Sequence, residues 1–150
     1  MSKTIVINSG YFNPIHPGHI DCMKLSKKLG NELWVIVNTD QQAEAKRGVP
    51  SFQSEAVRIA IVTELKPVDK VFLSVDTDQS VSQSLLKLAS LARKKHGNDT
   101  KIIFAKGGDR SLGNSPETII CSENNIQIVD GIGEKTHSSS TFLKDMQPIK

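Results

Sequence analysis

Gly10-Tyr11-Phe12-Asn13-Pro14-Ile15-His16-Pro17-Gly18-His19 decides how this chain is read. An apolar run, Ile5-Val6-Ile7, precedes it, and a helical pattern carried by Ile20, Met23, Leu25 and Leu29 follows. The stretch is therefore a strand-to-helix turn, and it holds two of the four histidines three residues apart. Gly18 tolerates unusual dihedrals and lets a ligand approach the backbone. A helix start attracts anions, because its first N–H groups lack partners and the positive end of its dipole points outward. Imidazoles placed there donate hydrogen bonds to phosphate oxygens and stabilise charge that builds up in a transition state. One His capping the helix and the other packing is the plain structural reading. The His16-x-Gly18-His19 spacing at a strand end favours a phosphate site.

Outward from this turn, short apolar runs alternate with helical patterns. Leu33–Val37, Val71–Leu73, Ile102–Phe104 and Ile126–Val129 read as strands, joining Ile5–Ile7. Gly18–Leu29, Ser54–Leu65, Ser80–Lys95, Pro116–Asn124 and Thr141–Met146 read as helices. Continuous apolar strands alternating with helices predict a parallel sheet covered on both faces. The expected fold is α/β: a single doubly wound, Rossmann-like, five-stranded parallel sheet spanning residues 1–150 as one domain. Ligands of such sheets sit beyond the carboxyl ends of the strands. The first strand is followed by no Gly-x-Gly-x-x-Gly, which argues against a nicotinamide dinucleotide site.

The turn resembles the His-x-Gly-His signature of the cytidylyltransferase-like nucleotidyltransferase superfamily, through Gly10, Phe12, Pro14, His16, Gly18 and His19. The heptose-1-phosphate adenylyltransferase and glycerol-3-phosphate cytidylyltransferase branches are the nearest. The resemblance implies transfer of a nucleoside monophosphate from ATP or CTP to a small phosphorylated acceptor such as a sugar or polyol phosphate, with release of pyrophosphate. It implies His16, His19 and Lys46 as catalytic groups, and Gly10, Tyr11, Phe12 and Gly18 beside the nucleotide. Magnesium would accompany the triphosphate, held largely by phosphate oxygens and water. Small members of the superfamily commonly form dimers, and a homodimer is expected. Two alternatives stay open: an adenylyltransferase of the pantetheine-phosphate or nicotinamide-mononucleotide type, and a nucleotide-binding sensor or assembly module without turnover.

Four further strand ends or helix starts carry candidates. Asn38-Thr39-Asp40 follows the second strand, and Lys46-Arg47-Gly48 is similar to the superfamily's flexible basic loop. A lysine there follows a phosphate as a bond breaks. Arg58, on the next helix, falls near a Glu-x-Arg of relatives, here stretched to Glu55-Ala56-Val57-Arg58. Asp40, Arg58 and Arg110 are thus candidate substrate contacts. Lys106-Gly107-Gly108-Asp109 is similar to the string of heptose-1-phosphate adenylyltransferases, and its glycines let a nucleotide approach bare backbone. That makes Gly108 and Asp109 nucleotide candidates. Ser138-Ser139-Ser140-Thr141 resembles the superfamily's closing hydroxyl motif, where hydroxyls and free N–H groups hold the β- and γ-phosphates. The arginine that commonly precedes this motif is replaced by Glu134-Lys135-Thr136-His137, with Lys135 or His137 as substitutes. The four-residue string and the missing arginine lean toward ATP over CTP.

Composition sets the frame. The 150 residues include 37% hydrophobic and 23% charged, with a net charge of +3. Such a chain is neither disordered nor membrane-like. Aromatic residues are 5% and no basic stripe interleaves with them, so nucleic acid is not the expected partner. Cys22 and Cys121 have no zinc spacing, so no protein metal site is expected. The first residues lead into a strand without a signal pattern, which points to the cytoplasm. His96 reads as exposed, Trp34 as core, and Asp76-Thr77-Asp78 as a solvated loop.

Overall fold

The computed structural model describes residues 2–107 and 115–132. Five strands, β1 (Thr4–Gly10), β2 (Glu32–Val37), β3 (Lys70–Leu73), β4 (Lys101–Gly107) and β5 (Ile126–Ile132), form one sheet in the order β3-β2-β1-β4-β5. Every pair is parallel. The chain moves outward from β1 to β3, then returns to the other side of β1 for β4 and β5. The order reverses between β1 and β4, the switch point at whose carboxyl end doubly wound sheets bind their ligands.

Among the described residues five helices cover the sheet: α1 (Pro17–Lys27), α2 (Asp40–Arg47), α3 (Glu55–Thr63), α4 (Ser82–His96) and α5 (Pro116–Glu123). Side-chain alternation along the strands sorts the core into two layers. Ile5, Ile7, Trp34, Ile36, Ile102 and Phe104 pack with Val81, Leu85, Leu88 and Ala92 on one face. Val6, Leu33, Val35, Val37 and Ile103 pack with Met23 and Val62 on the other. Both faces are covered, which is why Ile5–Ile7, Leu33–Val37 and Ile102–Ala105 are continuous apolar runs. Among the described residues no helix is long and apolar enough to cross a membrane.

Three local readings need correcting. The flexible basic loop after β2 is instead helix α2. Thr39 caps it by accepting from the Gln42 N–H at 3.0 Å, and the Gln42 side chain accepts from the Thr39 N–H at 2.9 Å. Gly48, at φ 75°, ends it in the left-handed conformation that glycine adopts without cost. Lys46 and Arg47 therefore sit in a helix's last turn, and the loop begins at Gly48. Asp76 is buried, at 8% exposure, where a solvated loop was expected. His96 is packed rather than exposed, with Nε2 3.5 Å from a Glu32 carboxylate oxygen. Trp34 is core, as expected, and its indole N–H donates to Glu32 Oε1.

Candidate active site at the end of the central strand

The strand β1 ends at Gly10, and the turn that follows is shaped by Phe12. Phe12 is buried at 5% exposure and takes φ 51°, a left-handed conformation unusual for an aromatic residue. Its ring packs back over Gly10 so closely that a Cβ there would fall 2.7 Å from Phe12 Cζ. Gly10 is thus needed by the turn's own aromatic anchor. The other end of that anchor meets the histidines, with the Phe12 and His19 rings edge to face at 5.1 Å.

The two histidines hold each other in place. His16 Nδ1 accepts the Gly18 backbone N–H at 3.1 Å, and His19 Nδ1 accepts the His16 backbone N–H at 3.1 Å. The imidazoles stack at 3.8 Å between centroids. This is a reciprocal helix cap in which ring nitrogens replace the usual oxygens. It also fixes the tautomer: with both Nδ1 lone pairs accepting, each neutral ring carries its proton on Nε2 and donates from there. Burial first, then the neighbouring His16, lower the His19 pKa to about 4. His19 is therefore an uncharged N–H donor at neutral pH.

Tyr11 and Lys46 bring the second strand's end to the same place. The Lys46 ammonium lies 4.6 Å from the Tyr11 ring centroid, a cation–π contact between the β1–α1 turn and the last turn of α2. Burial raises the Tyr11 pKa, with Arg58 opposing and Glu117 of α5 adding to it, so the phenol stays protonated. Asn8, on β1, ties the scaffold together: its side-chain amide donates to Ser26 Oγ of α1 and to the Ala105 carbonyl of β4.

Arg58 departs from its expected role as a substrate contact. It is buried at 1% exposure, and its guanidinium donates to the carbonyls of Gln53, Tyr11 and Asn38 and to Asp40 Oδ1. Those four bonds, at 2.7–3.0 Å, take up most of its five N–H donors. Asp40 accordingly pairs with Arg58, while its backbone N–H donates to Glu55 Oε1 at 2.8 Å. Arg47 is exposed beyond the Tyr11–Lys46 contact.

The structure thus brings Gly10, Tyr11, Phe12, His16, Gly18, His19, Lys46 and, through Arg58, Asp40 to one end of the sheet. Gly108, Asp109, Arg110, Ser138, Ser139, Ser140 and Thr141 lie outside the described residues, as do Lys135, His137 and the expected Thr141–Met146 helix. From the sequence neither Gln42 nor Gln53 is singled out, and Glu55 enters only as part of the stretched Glu-x-Arg. The Thr39-x-x-Gln42 spacing carried the signal for α2 and its anchor; nothing in the sequence marked Gln53. No cluster of three or more metal-ligating side chains occurs among the described residues.

A doubly wound parallel sheet with a histidine-capped first helix beside the switch in strand order defines a Rossmann-like α/β protein. Comparison with known proteins gives the family. The profile of the Cytidylyltransferase-like family matches residues 7–140, and the chain belongs to it. An FAD synthase of Methanoregula boonei is 41% identical over 78 residues, covering 52% of this chain and 51% of the relative. The FAD synthase of Thermoplasma acidophilum is 44% identical over 73 residues, 49% of this chain and 51% of the relative. The bifunctional protein HldE of Actinobacillus succinogenes is 31% identical over 130 residues, 83% of this chain but 27% of the relative. The chain therefore spans about half the length of the FAD synthases it matches. A lipopolysaccharide core biosynthesis protein of Thermoplasma volcanium has the same fold, with TM-score 0.66 and 28% identity over 86% of this chain and 96% of that one.

Proposed function

We propose that the protein is a nucleotidyltransferase that moves a nucleoside monophosphate from a triphosphate to a small phosphorylated acceptor. A phosphate oxygen of the acceptor attacks the α-phosphorus in line. The new P–O bond forms as the bond to the β-phosphate bridge breaks, and pyrophosphate leaves. No protein nucleophile takes part, so orientation and charge stabilisation supply the rate. The Nε2–H groups of His16 and His19 donate to phosphate oxygens, with His19 nearer the α-phosphate. The Lys46 ammonium follows the charge that shifts to the bridging oxygen. Ser139, Ser140 and Thr141 hold the departing pyrophosphate, and magnesium enters with the triphosphate as part of the substrate.

The observation that carries this reading is the paired imidazole cap, in which both Nδ1 atoms accept backbone N–H groups, at the start of a helix with no acidic residue in its first turn. ATP is the proposed donor. FAD is FMN joined to AMP through a pyrophosphate, so relatives named for its synthesis support adenylyl transfer to a phosphomonoester. The test is exchange of labelled pyrophosphate into ATP and into CTP across FMN and a set of sugar and polyol phosphates. Exchange with ATP and at least one acceptor is expected. Exchange with CTP alone would replace the donor, and binding without exchange on every acceptor would remove the transferase.

A further inference from the structure

We infer that Arg58 is a positioning residue that pins the three chain segments at the site's rim into one register. The geometry is specific. Its side chain has no exposed surface, yet it carries a full charge paired to a single carboxylate, Asp40, whose own side chain is 42% exposed. A buried charge with one half-exposed partner is costly unless its remaining donors are satisfied. They are satisfied by three backbone carbonyls, each from a different segment. Tyr11 O belongs to the β1–α1 turn, Asn38 O to the end of β2, and Gln53 O to the loop between α2 and α3.

Each segment also carries a second bond that depends on this register. The Gln53 N–H donates to Asn13 Oδ1, joining the loop directly to the β1–α1 turn. The Asp40 N–H donates to Glu55 Oε1, so the first turn of α3 grips the first turn of α2 from both Glu55 and Arg58. Tyr11 in turn receives Lys46 over its ring. One planar guanidinium with donors in a fixed fork suits this task, and an ammonium with three donors on a flexible stem does not.

Arg58 touches none of the reacting groups in the proposed reaction. Its loss acts through the placement of Tyr11 and Lys46, and so on turnover more than on affinity. That catalytic half rests on the transferase reading; the pinning itself does not.

The test is residue-resolved amide exchange on the whole chain, comparing Arg58→Met, Arg58→Lys and Asp40→Asn with wild type. The reporters are the amides of His16, Asp40 and Gln53, whose acceptors are His19 Nδ1, Glu55 Oε1 and Asn13 Oδ1. In Arg58→Met all three should exchange about tenfold faster or more, while the amides of β4 and α4 change little. Asp40→Asn keeps the three carbonyl bonds, so His16 and Gln53 should stay within about threefold of wild type. Should Arg58→Met not fold, Arg58→Lys gives the same pattern at smaller size. Faster exchange confined to α3, or uniform across the chain, would overturn the pin. In parallel, Arg58→Lys should lower kcat about tenfold with KM for ATP within about threefold. A wild-type chain inactive on every acceptor would remove the transferase and leave the exchange result standing.

Discussion

Two helices begin at the carboxyl end of the sheet and answer the same electrostatic problem in opposite ways. Both α1 and α4 follow strands, and both starts present unpaired N–H groups at the positive end of a dipole. At α4 the protein supplies its own anion. Val81 offers no side-chain cap, but the buried Asp76 carboxylate accepts from the Gln83 and Ser84 N–H groups at 2.7 and 2.9 Å, and Glu117 Oε2 accepts from the Val81 N–H. At α1 two neutral imidazoles do the capping and the first turn has no acidic residue. The first turns of α2, α3 and α5 each have one: Asp40, Glu55 and Glu117. A helix start filled by a carboxylate is a structural joint. The start of α1 is capped by imidazoles in place of a carboxylate, and that separates it from the other helix starts.

Substitution at the two starts should therefore give opposite phenotypes. His19→Ala should lower turnover a hundredfold or more while the chain stays folded, because one lost donor at a developing charge costs about 2.7–4 kcal/mol. Near-normal turnover would make the α1 start as structural as that of α4. Asp76→Ala should do the reverse. Stranding the α4 N–H groups costs about 1–2 kcal/mol, a fall in melting temperature of about 3–8 °C for a chain of this size. Turnover per folded molecule should stay within about twofold. A loss of turnover without a loss of stability there would erase the contrast.

Lys46→Ala sharpens the comparison at the neighbouring helix. It removes the mobile charge but neither cap, so turnover should fall about tenfold with little change in ATP affinity. Weaker binding at unchanged turnover would reassign it to a ground-state contact. The smallest effect is on pH dependence. The folded His19 resists protonation down to about pH 4, whereas the unfolded ring titrates near 6.5. Above 6.5 neither state is charged and the full stability is present. As the pH falls from 6.5 toward 4, the unfolded chain takes up a proton that the folded one refuses, and stability is lost. Melting curves across that window should slope more steeply for wild type than for His19→Gln. Parallel slopes would show that the ring is not held neutral.

The sheet, its order of elements and the histidine turn were legible because apolar runs and helical periods are local signals. Leu33–Val37 could be little else than a buried strand. The histidine turn sits where its spacing places it, between β1 and α1. The basic string Lys46-Arg47-Gly48 reads as a loop and masks α2, although Thr39, Gln42 and Gly48 spell out its start and stop. The burial of Arg58 is illegible for a different reason. A charge on a helix ordinarily faces water or ligand. Its burial follows from where Tyr11, Asn38 and Gln53 turn their carbonyls, and those backbone oxygens leave no trace in the identity of the residues that carry them. Asp76 was hidden in the same way, since its partners are the N–H groups of a helix beginning six residues later.

The imidazole cap also bears on which metals the site will tolerate. Two histidines three apart at a helix start would elsewhere be a foothold for zinc or copper, which bind the lone pair of a neutral ring. Here each available lone pair, on Nδ1, already accepts a backbone N–H. A transition metal arriving at Nε2 must drive the proton to Nδ1, where it meets that N–H head-on, and so must break the start of α1 to gain its ligands. The bonds that cap the helix thereby discriminate against zinc and copper, so the turn is protected from them by its tautomer.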